Sequence, residues 1–335
     1  MRNGTAALLA AVVAIGGFGT LGAPAAAGAD IEITEWVVPW ENTRPRDPYV
    51  DAQGRVWFVG QRGDYLAYLD PATGDFRRYE LDPGTGPHNL IVDEDGFVWY
   101  AGNRAMHIGR LDPDTGEIEK IPMPTPDARD PHTLTFDHNG DIWFSVQGGS
   151  FVGKLGTATG SVELVPVEGR GRRPYGIVVD ANNRAWFCQF GTNRLATVDP
   201  ETLELEEFEL PRAEARPRRL ALTSNGHLWY VDYAGGHLGR FDPATGDVQE
   251  WAVPGGAEAR PYGMAVDAED RLYFVESGVR PNRFVGFDPA AEEFFAMTEI
   301  ASGGGTVRHM YYHPPTGDIW FGTDTNNIGR ARVVP

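Results

Sequence analysis

The sequence has one cysteine, Cys188, and too few basic side chains to balance its acidic ones. A lone cysteine excludes an intramolecular disulfide, and we interpret Cys188 as a small apolar residue of a strand. The 29 Lys and Arg residues against 47 Asp and Glu give a net charge of −18, which argues against a nucleic-acid partner. Apolar residues at helical spacing are missing after about residue 30, which argues against a helical fold.

Beyond the N-terminus, the sequence has no apolar run long enough to cross a membrane. The first residues combine Arg2, an apolar run over 6–21 and small residues over 23–29, a pattern typical of a secretory signal peptide. We therefore predict a signal peptide at residues 1–29, one domain at residues 30–335, and a secreted or extracytoplasmic protein with no membrane span after cleavage. An uncleaved anchor is the alternative. We expect a monomer.

The chain carries a sevenfold repeat. An aromatic pair recurs every 42 to 47 residues, at Trp57-Phe58, Trp99-Tyr100, Trp143-Phe144, Trp186-Phe187, Trp229-Tyr230, Tyr273-Phe274 and Trp320-Phe321. Each of the first six units contains four short strand patterns, with turn signals such as Asn139-Gly140 between them. A period in the forties with four strands per unit is typical of a β-propeller. The sequence therefore predicts an all-β, seven-bladed β-propeller of four-stranded antiparallel blades.

The two ends of the chain indicate how the ring closes. The seventh unit ends after its third strand pattern, at residues 328–333. The N-terminal segment 33–38 resembles fourth strands elsewhere, such as residues 248–253. We predict that this N-terminal strand completes the seventh blade, because closure then removes an exposed sheet edge.

The residue eleven positions before each tryptophan lies near the start of the innermost strand. With one extra residue allowed in the seventh unit, these positions form a ring at the channel mouth: Arg46, His88, His132, Tyr175, Arg218, Tyr262 and Arg308. None is apolar, which is typical of a small-molecule site, although such side chains can also bind each other and channel water. We expect His309, one position after Arg308, to point away from the channel.

Two ring histidines follow prolines in consecutive units, and Asp130 lies two positions before His132. A histidine near a carboxylate can serve as a general base. The same groups could instead bind a metal, although they are fewer than a tight site usually has. His107 and His237 occupy equivalent places at the start of third strands, and we interpret them as repeat residues.

At these residues the chain resembles the virginiamycin B lyase family, also called streptogramin B lyases. The resemblance spans residues 33–332 and rests on a Pro-Tyr-Gly-Ile strand start at 174–177, a Gly-x-x-Trp-Phe strand at 140–144 and an Ile-Gly-Arg strand at 108–110. It implies a seven-bladed propeller that opens a cyclic depsipeptide antibiotic by elimination across its ester. It also implies a histidine base and a magnesium ion held by acidic residues.

The resemblance places family roles on individual residues. His88 matches the first histidine, Asp130 the first acid, His132 the base and Tyr175 the tyrosine, in units two to four instead of the last two and the first. Gln147 stands where the family has a second acid, four residues after the tryptophan. The resemblance thus implies Asp130 and Gln147 as ligands of a Mg²⁺ ion. We expect this ion to be held weakly, because the amide of Gln147 offers an oxygen but no charge.

We expect an exported lyase-like enzyme that opens a small-molecule ester, a depsipeptide or lactone, by elimination, as in antibiotic resistance. We expect the substrate-binding side chains to be Arg46, Arg218, Tyr262 and Arg308. One alternative is a non-catalytic secreted propeller that binds an anionic small molecule or a protein partner. Another is a lactone hydrolase of the gluconolactonase type, a family with six blades and a fuller acidic calcium site.

Overall fold

The computed structural model describes residues 30–334. Within that range, 28 β-strands form seven four-stranded antiparallel sheets, and one short 3₁₀ helix lies at Ala257–Ala259. The predicted seven-bladed propeller is confirmed. The predicted signal peptide lies outside the described residues. No helix in residues 30–334 is long and apolar enough to span a membrane.

The chain enters through β1 (Asp30–Val37). Blade 1 then contains β2 (Pro45–Val50), β3 (Val56–Gly60), β4 (Tyr65–Leu69) and β5 (Phe76–Glu80). Blade 2 contains β6 (Pro87–Val92), β7 (Val98–Gly102), β8 (His107–Leu111) and β9 (Ile118–Pro122). Blade 3 contains β10 (Pro131–Phe136), β11 (Ile142–Val146), β12 (Phe151–Leu155) and β13 (Val162–Pro166).

Blade 4 contains β14 (Pro174–Val179), β15 (Ala185–Gln189), β16 (Arg194–Val198) and β17 (Leu205–Glu209). Blade 5 contains β18 (Pro217–Leu222), β19 (Leu228–Asp232), β20 (His237–Phe241) and β21 (Val248–Ala252). Blade 6 contains β22 (Pro261–Val266), β23 (Leu272–Glu276), β24 (Arg283–Asp288) and β25 (Glu293–Glu299). Blade 7 contains β26 (Val307–His313), β27 (Asp318–Thr323) and β28 (Asn327–Val334).

The first strand completes the last blade. β1 pairs antiparallel with β28, with Ile33 opposite Ala331 and Glu35 opposite Gly329, and the sheet order is β1-β28-β27-β26. Main-chain hydrogen bonds therefore join the two ends of the chain in one sheet, and the predicted closure is confirmed.

The repeat motifs are explained by packing between strands and blades. In blade 3, Trp143 and Phe144 are both fully buried, and successive strand residues face opposite sides of the sheet. A Cβ at Gly153 would overlap the ring of Phe144, so the glycine of the Ile-Gly-Arg pattern is needed for this close approach. The next residue, Lys154, lies 5.5 Å from the centroid of Trp143. These motifs maintain the blade and are not part of a site.

Each inner strand begins with an irregular register. In blade 3, Pro131 pairs with Val146 and the next pair is Leu134 with Phe144, so His132 and Thr133 lie between them outside the regular ladder. The register shifts near the same point in the other six blades. A bulge of this kind re-aims side chains and breaks strict alternation. The two residues after the strand start can therefore both turn toward the channel.

Candidate functional site at the channel mouth

The structure brings the predicted ring residues together. The ring centroids of His88 and His132 are 3.5 Å apart, and those of His132 and Tyr175 are 4.1 Å apart. Across the channel, the hydroxyls of Tyr175 and Tyr262 form a hydrogen bond. Arg218 donates from Nη2 to the Tyr175 hydroxyl at 3.3 Å. Residues from blades 2 to 6 thus form one connected cluster.

The other two ring arginines are held by carboxylates. Arg46 is 3 % exposed, and its Nε donates to Oδ1 of Asp47 at 2.9 Å. Arg308 donates through both terminal nitrogens to Asp324, with Nη2 2.7 Å from Oδ2. Because Arg308 is engaged by Asp324, it is less available to an anionic ligand than the sequence predicts.

A second layer of polar side chains lies one position further along the inner strands, and it is organised by Arg219. This guanidinium, 2 % exposed, donates to Oδ2 of Asp47 at 3.3 Å and to Oγ1 of Thr133 at 3.2 Å. It also donates to the main-chain carbonyl of Arg308 at 2.9 Å. One side chain from blade 5 therefore crosses the channel to blades 1, 3 and 7.

His309 belongs to this second layer. Burial and the positive charge of Arg219 lower the pKa of its imidazole to about 3, although the carboxylate of Asp47 acts in the opposite direction. The expectation that His309 points away from the channel is wrong, because the register break between Val307 and Met310 cancels the alternation on which it rested. Arg308 still occupies the predicted mouth position.

Sequence reasoning missed this second layer for the same reason. A sequence signal was available, because five of the seven units carry a polar or charged residue one position after the ring residue. These are Asp47, Asn89, Thr133, Arg219 and His309. Polar side chains at consecutive positions of an inner strand indicate that the strand is not regular there.

The environment keeps both ring histidines neutral. Burial, reinforced by the positive charge of Arg46, holds the pKa of His88 well below its usual range. Burial and the charge of Arg219 do the same to the pKa of His132. Protonation of either imidazole would place another buried positive charge beside the arginines. Both histidines are therefore weak proton acceptors.

Contacts around Thr133 set the tautomer of His132. The Thr133 hydroxyl accepts a hydrogen bond from Arg219, and its oxygen lies 2.9 Å from Nδ1 of His132. An arginine can only donate, so the hydroxyl proton of Thr133 is free to be donated to Nδ1. In a neutral imidazole the other nitrogen then carries the hydrogen. This arrangement favours the neutral imidazole that carries its hydrogen on Nε2.

The pKa of Tyr175 is also lowered, which for a phenol favours the ionised form. Burial raises the pKa of its hydroxyl, but the guanidinium groups of Arg218 and Arg219 outweigh burial and bring the pKa below its ordinary value. A hydrogen bond from Tyr262 acts in the same direction. Burial and the charge of Tyr175 raise the pKa of Tyr262, so Tyr262 keeps its proton and donates it. Tyr175 is the ring side chain most readily converted to an anionic base.

Arg218 lies in an aromatic cage. Its guanidinium carbon lies 3.7 Å from the ring centroid of Tyr262, 4.3 Å from that of Tyr233, 4.4 Å from that of Phe190 and 5.0 Å from that of Tyr175. Arg46, Arg219 and Arg308 each pair with a carboxylate, whereas within residues 30–334 Arg218 pairs with none.

The predicted metal ligands supply few donors. One carboxylate oxygen of Asp130 accepts a hydrogen bond from the amide of Asn103, and burial raises the pKa of Asp130 to about 6. Gln147 reaches Asp130 through its main chain, where its N–H donates to the Asp130 carbonyl at 3.0 Å. In the described range, no three His, Cys, Asp or Glu side chains are grouped to hold a metal. One buried carboxylate and one amide do not fit a magnesium ion held by the protein alone. A magnesium ion bound by Asp130 and Gln147 stays a prediction.

Unsatisfied polar atoms mark the channel as the site. Four buried side-chain atoms there have no hydrogen-bond partner: Nη2 of Arg46, Nδ1 of His88, Nε of Arg218 and Nδ1 of His309. Such groups are costly unless water or a ligand meets them. A surface cavity of about 480 Å³ lies at the other end of the strands, near Tyr49 and His138, and does not reach these atoms. We therefore place the candidate site at the mouth.

Comparison with protein families decides the relationship. The sequence profile of the virginiamycin B lyase family matches residues 20–229, more than half of the chain. The chain belongs to the virginiamycin B lyase family. Among curated proteins, none matches it significantly.

Solved structures of this family have the same fold. A streptogramin B lyase structure is 25 % identical, with a TM-score of 0.81 over 90 % of this chain and 98 % of the other. The virginiamycin B lyase from Staphylococcus aureus, in selenomethionine form, is 24 % identical, with a TM-score of 0.82 over 91 % and 100 % of the two chains. A catalytically inactive histidine-to-alanine variant of that enzyme, with quinupristin, is 24 % identical, with a TM-score of 0.81 over the same shares.

Proposed function

We propose that this protein is a carbon–oxygen lyase that opens an ester of a cyclic depsipeptide or lactone by elimination. Family membership supports the reaction class, and the histidine–tyrosine cluster carries the proposal for this chain. His88, His132 and Tyr175 come from three consecutive blades and have ring centroids 3.5 Å and 4.1 Å apart. Fold alone does not establish activity, because the reaction depends on the chemistry of the side chains in this cluster.

In an ester elimination, a base removes a proton from the carbon next to the one that bears the ester oxygen. The electrons of the broken C–H bond form a carbon–carbon double bond, the C–O bond breaks, and the ester leaves as a carboxylate. The reaction therefore needs one proton acceptor and donors that stabilise the leaving carboxylate.

The contacts at the mouth favour Tyr175 over His132 as the proton acceptor. Tyr175 has a lowered pKa and receives a hydrogen bond from Tyr262. His132 has a strongly lowered pKa, and its contact with Thr133 favours the Nε2–H tautomer. In this assignment His132 donates a hydrogen bond to the leaving oxygen, and His88, stacked on it, fixes its position. The base predicted from the sequence, His132, is the competing assignment.

Quinupristin, the ligand named for the related enzyme variant, is a suitable substrate to test. We expect the purified protein to convert it to a ring-opened product of unchanged mass that carries a new double bond, with magnesium or with a chelator. Mass spectrometry separates the mechanisms, because hydrolysis adds one water. A product heavier by one water would identify a hydrolase, and no turnover of quinupristin or simpler esters would contradict the proposal.

Secretion and a monomeric state stay proposals of the same kind. They rest on the N-terminal pattern and on the net charge of −18. N-terminal sequencing of the exported protein tests the first, and sedimentation tests the second.

A further inference from the structure

Gln147 stands where the family resemblance implies a second acid, and the channel mouth carries buried arginines. Two of their nitrogens, Nη2 of Arg46 and Nε of Arg218, are buried and lack a hydrogen-bond partner. A guanidinium only donates, so whatever satisfies these nitrogens must be an acceptor. The residues therefore point to an oxygen-rich or anionic group.

The two guanidinium groups lie around the same pair of phenols. Arg46 shares the carboxylate of Asp47 with Arg219, whose guanidinium carbon lies 5.4 Å from the ring centroid of Tyr175. The guanidinium carbon of Arg218 lies 5.0 Å from the same centroid. Arg218 also donates to the Tyr175 hydroxyl. Their unsatisfied nitrogens therefore belong to one region of the mouth and not to two distant surfaces.

Charge in this region is positive although the protein is acidic. The channel carries four guanidinium groups, on Arg46, Arg218, Arg219 and Arg308, against three carboxyl groups, on Asp47, Asp324 and Asp130. Arg218 is the group without a carboxylate among the described residues, and four aromatic rings surround it. A low-dielectric, aromatic setting strengthens the attraction of a cation for an anion.

We propose that the channel mouth binds a carboxylate between Arg218 and Arg46, and that this guanidinium pair takes the place of a divalent cation in stabilising negative charge on the ligand. The inference rests on the proposed function, where a carboxylate is the leaving group. It adds that the substrate class is an acyl compound whose carboxyl end reaches the arginines. The two unsatisfied nitrogens need acceptors and a carboxylate supplies two, while the surrounding rings suit an apolar body.

Benzoate is a probe with both features, and benzamide is its neutral counterpart. Calorimetry in the presence of a chelator, at fixed ionic strength, should show benzoate binding at least tenfold tighter than benzamide. Equal binding of the two, or benzoate binding only when magnesium is added, would overturn the inference. So would no benzoate binding, or tighter binding of inorganic phosphate.

Arg218→Met should weaken benzoate binding at least tenfold. Arg218→Lys keeps the charge but loses the planar guanidinium, so its affinity for benzoate should lie between those of the wild type and Arg218→Met. Arg110→Met is the matched control, because the Arg110 guanidinium stacks 3.6 Å from the centroid of Phe97 and also has an unsatisfied Nε, but lies in the third strand of blade 2. Unfolding curves establish that each variant folds. Unchanged affinity in a folded Arg218→Met protein would contradict the site.

The outcome is separable from the lyase proposal. Benzoate binding at Arg218 without turnover of any ester would keep this inference and reject the lyase. Turnover that is insensitive to benzoate and to Arg218→Met would keep the lyase and reject the inference.

Discussion

The two sides of the channel mouth share one backbone plan and differ in chemistry. On the histidine side, in blades 2 and 3, the wall residues four positions after the tryptophans are Asn103 and Gln147. On the arginine side, in blades 4 and 5, the same wall positions hold Phe190 and Tyr233. The amide of Asn103 donates a hydrogen bond to the carboxylate of Asp130, whereas the aromatic wall residues enclose Arg218 and provide no carboxylate partner.

The comparison shows that a repeat fixes where side chains lie but not how they behave. The histidines become neutral donors because buried positive charge opposes their protonation. Tyr175 becomes acidic because it faces the same arginines. The same charges lower the pKa of both residue types, which keeps the histidines neutral and makes the hydroxyl of Tyr175 easier to ionise.

The largest expected effect concerns the base. Tyr175→Phe removes the proposed proton acceptor and should lower kcat by about 10²–10⁴-fold, the usual effect of losing a general base. His132→Ala should lower it less, because it removes only a donor to the leaving oxygen. His107→Ala, whose ring contacts Tyr100 away from the mouth, should leave kcat near the wild-type value. A larger loss in His132→Ala than in Tyr175→Phe would restore the base predicted from the sequence.

The polar side is tested by Asp130. Its folded pKa is about 6, above the ordinary 3.8, so the folded protein holds a proton that the unfolded chain releases between these values. The contribution of Asp130 to wild-type stability should therefore fall as pH rises from 4 to 7. Asp130→Asn lacks this loss, so its free energy of unfolding should gain up to about 3 kcal/mol on the wild type over that range. Urea unfolding at both pH values measures the gain.

The control for this measurement is Asp127→Asn, an exposed carboxylate three residues away, which should show little pH-dependent gain. A gain for Asp130→Asn that is the same at pH 4 and pH 7 would show that Asp130 titrates normally.

The pH dependence of turnover sharpens the contrast between the sides. The histidines are already neutral, so kcat/KM should show no inflection near 6.5. It should rise about tenfold per pH unit while Tyr175 loses its proton. Tyr262→Phe removes a hydrogen bond that favours ionised Tyr175, and should move the profile to higher pH. An inflection near 6.5 that persists in Tyr262→Phe would assign the base to an ordinary histidine.

The smallest expected effect concerns the aromatic wall. Phe190→Ala removes one face of the cage around Arg218 and should weaken benzoate binding severalfold, since a cation–π contact contributes about 0.5–2 kcal/mol. Asn103→Ala, at the same wall position on the histidine side, should leave benzoate binding unchanged. Equal losses in the two variants would mean that the two sides do not differ in ligand binding.

Much of the site position could be predicted from the repeat. Aligning the units on their tryptophans gave six of the seven proposed mouth residues, because a regular period places equivalent residues at equivalent points of each blade. The seventh, Arg308, required one extra residue in its unit. Arg219 and Asp47 were missed because their exposure to the channel depends on a bulge, and a bulge has no strong sequence signal.

The chain by itself determined the number of blades, the closing strand and the chemical character of the mouth, since these follow from periodicity and residue type. Only the tertiary structure decided which arginines are paired, which side chain contacts Nδ1 of His132 and why Tyr175 is more acidic than Tyr262. These properties depend on distances between charges from different blades, and electrostatic interactions vary with distance and burial in ways that no repeat specifies.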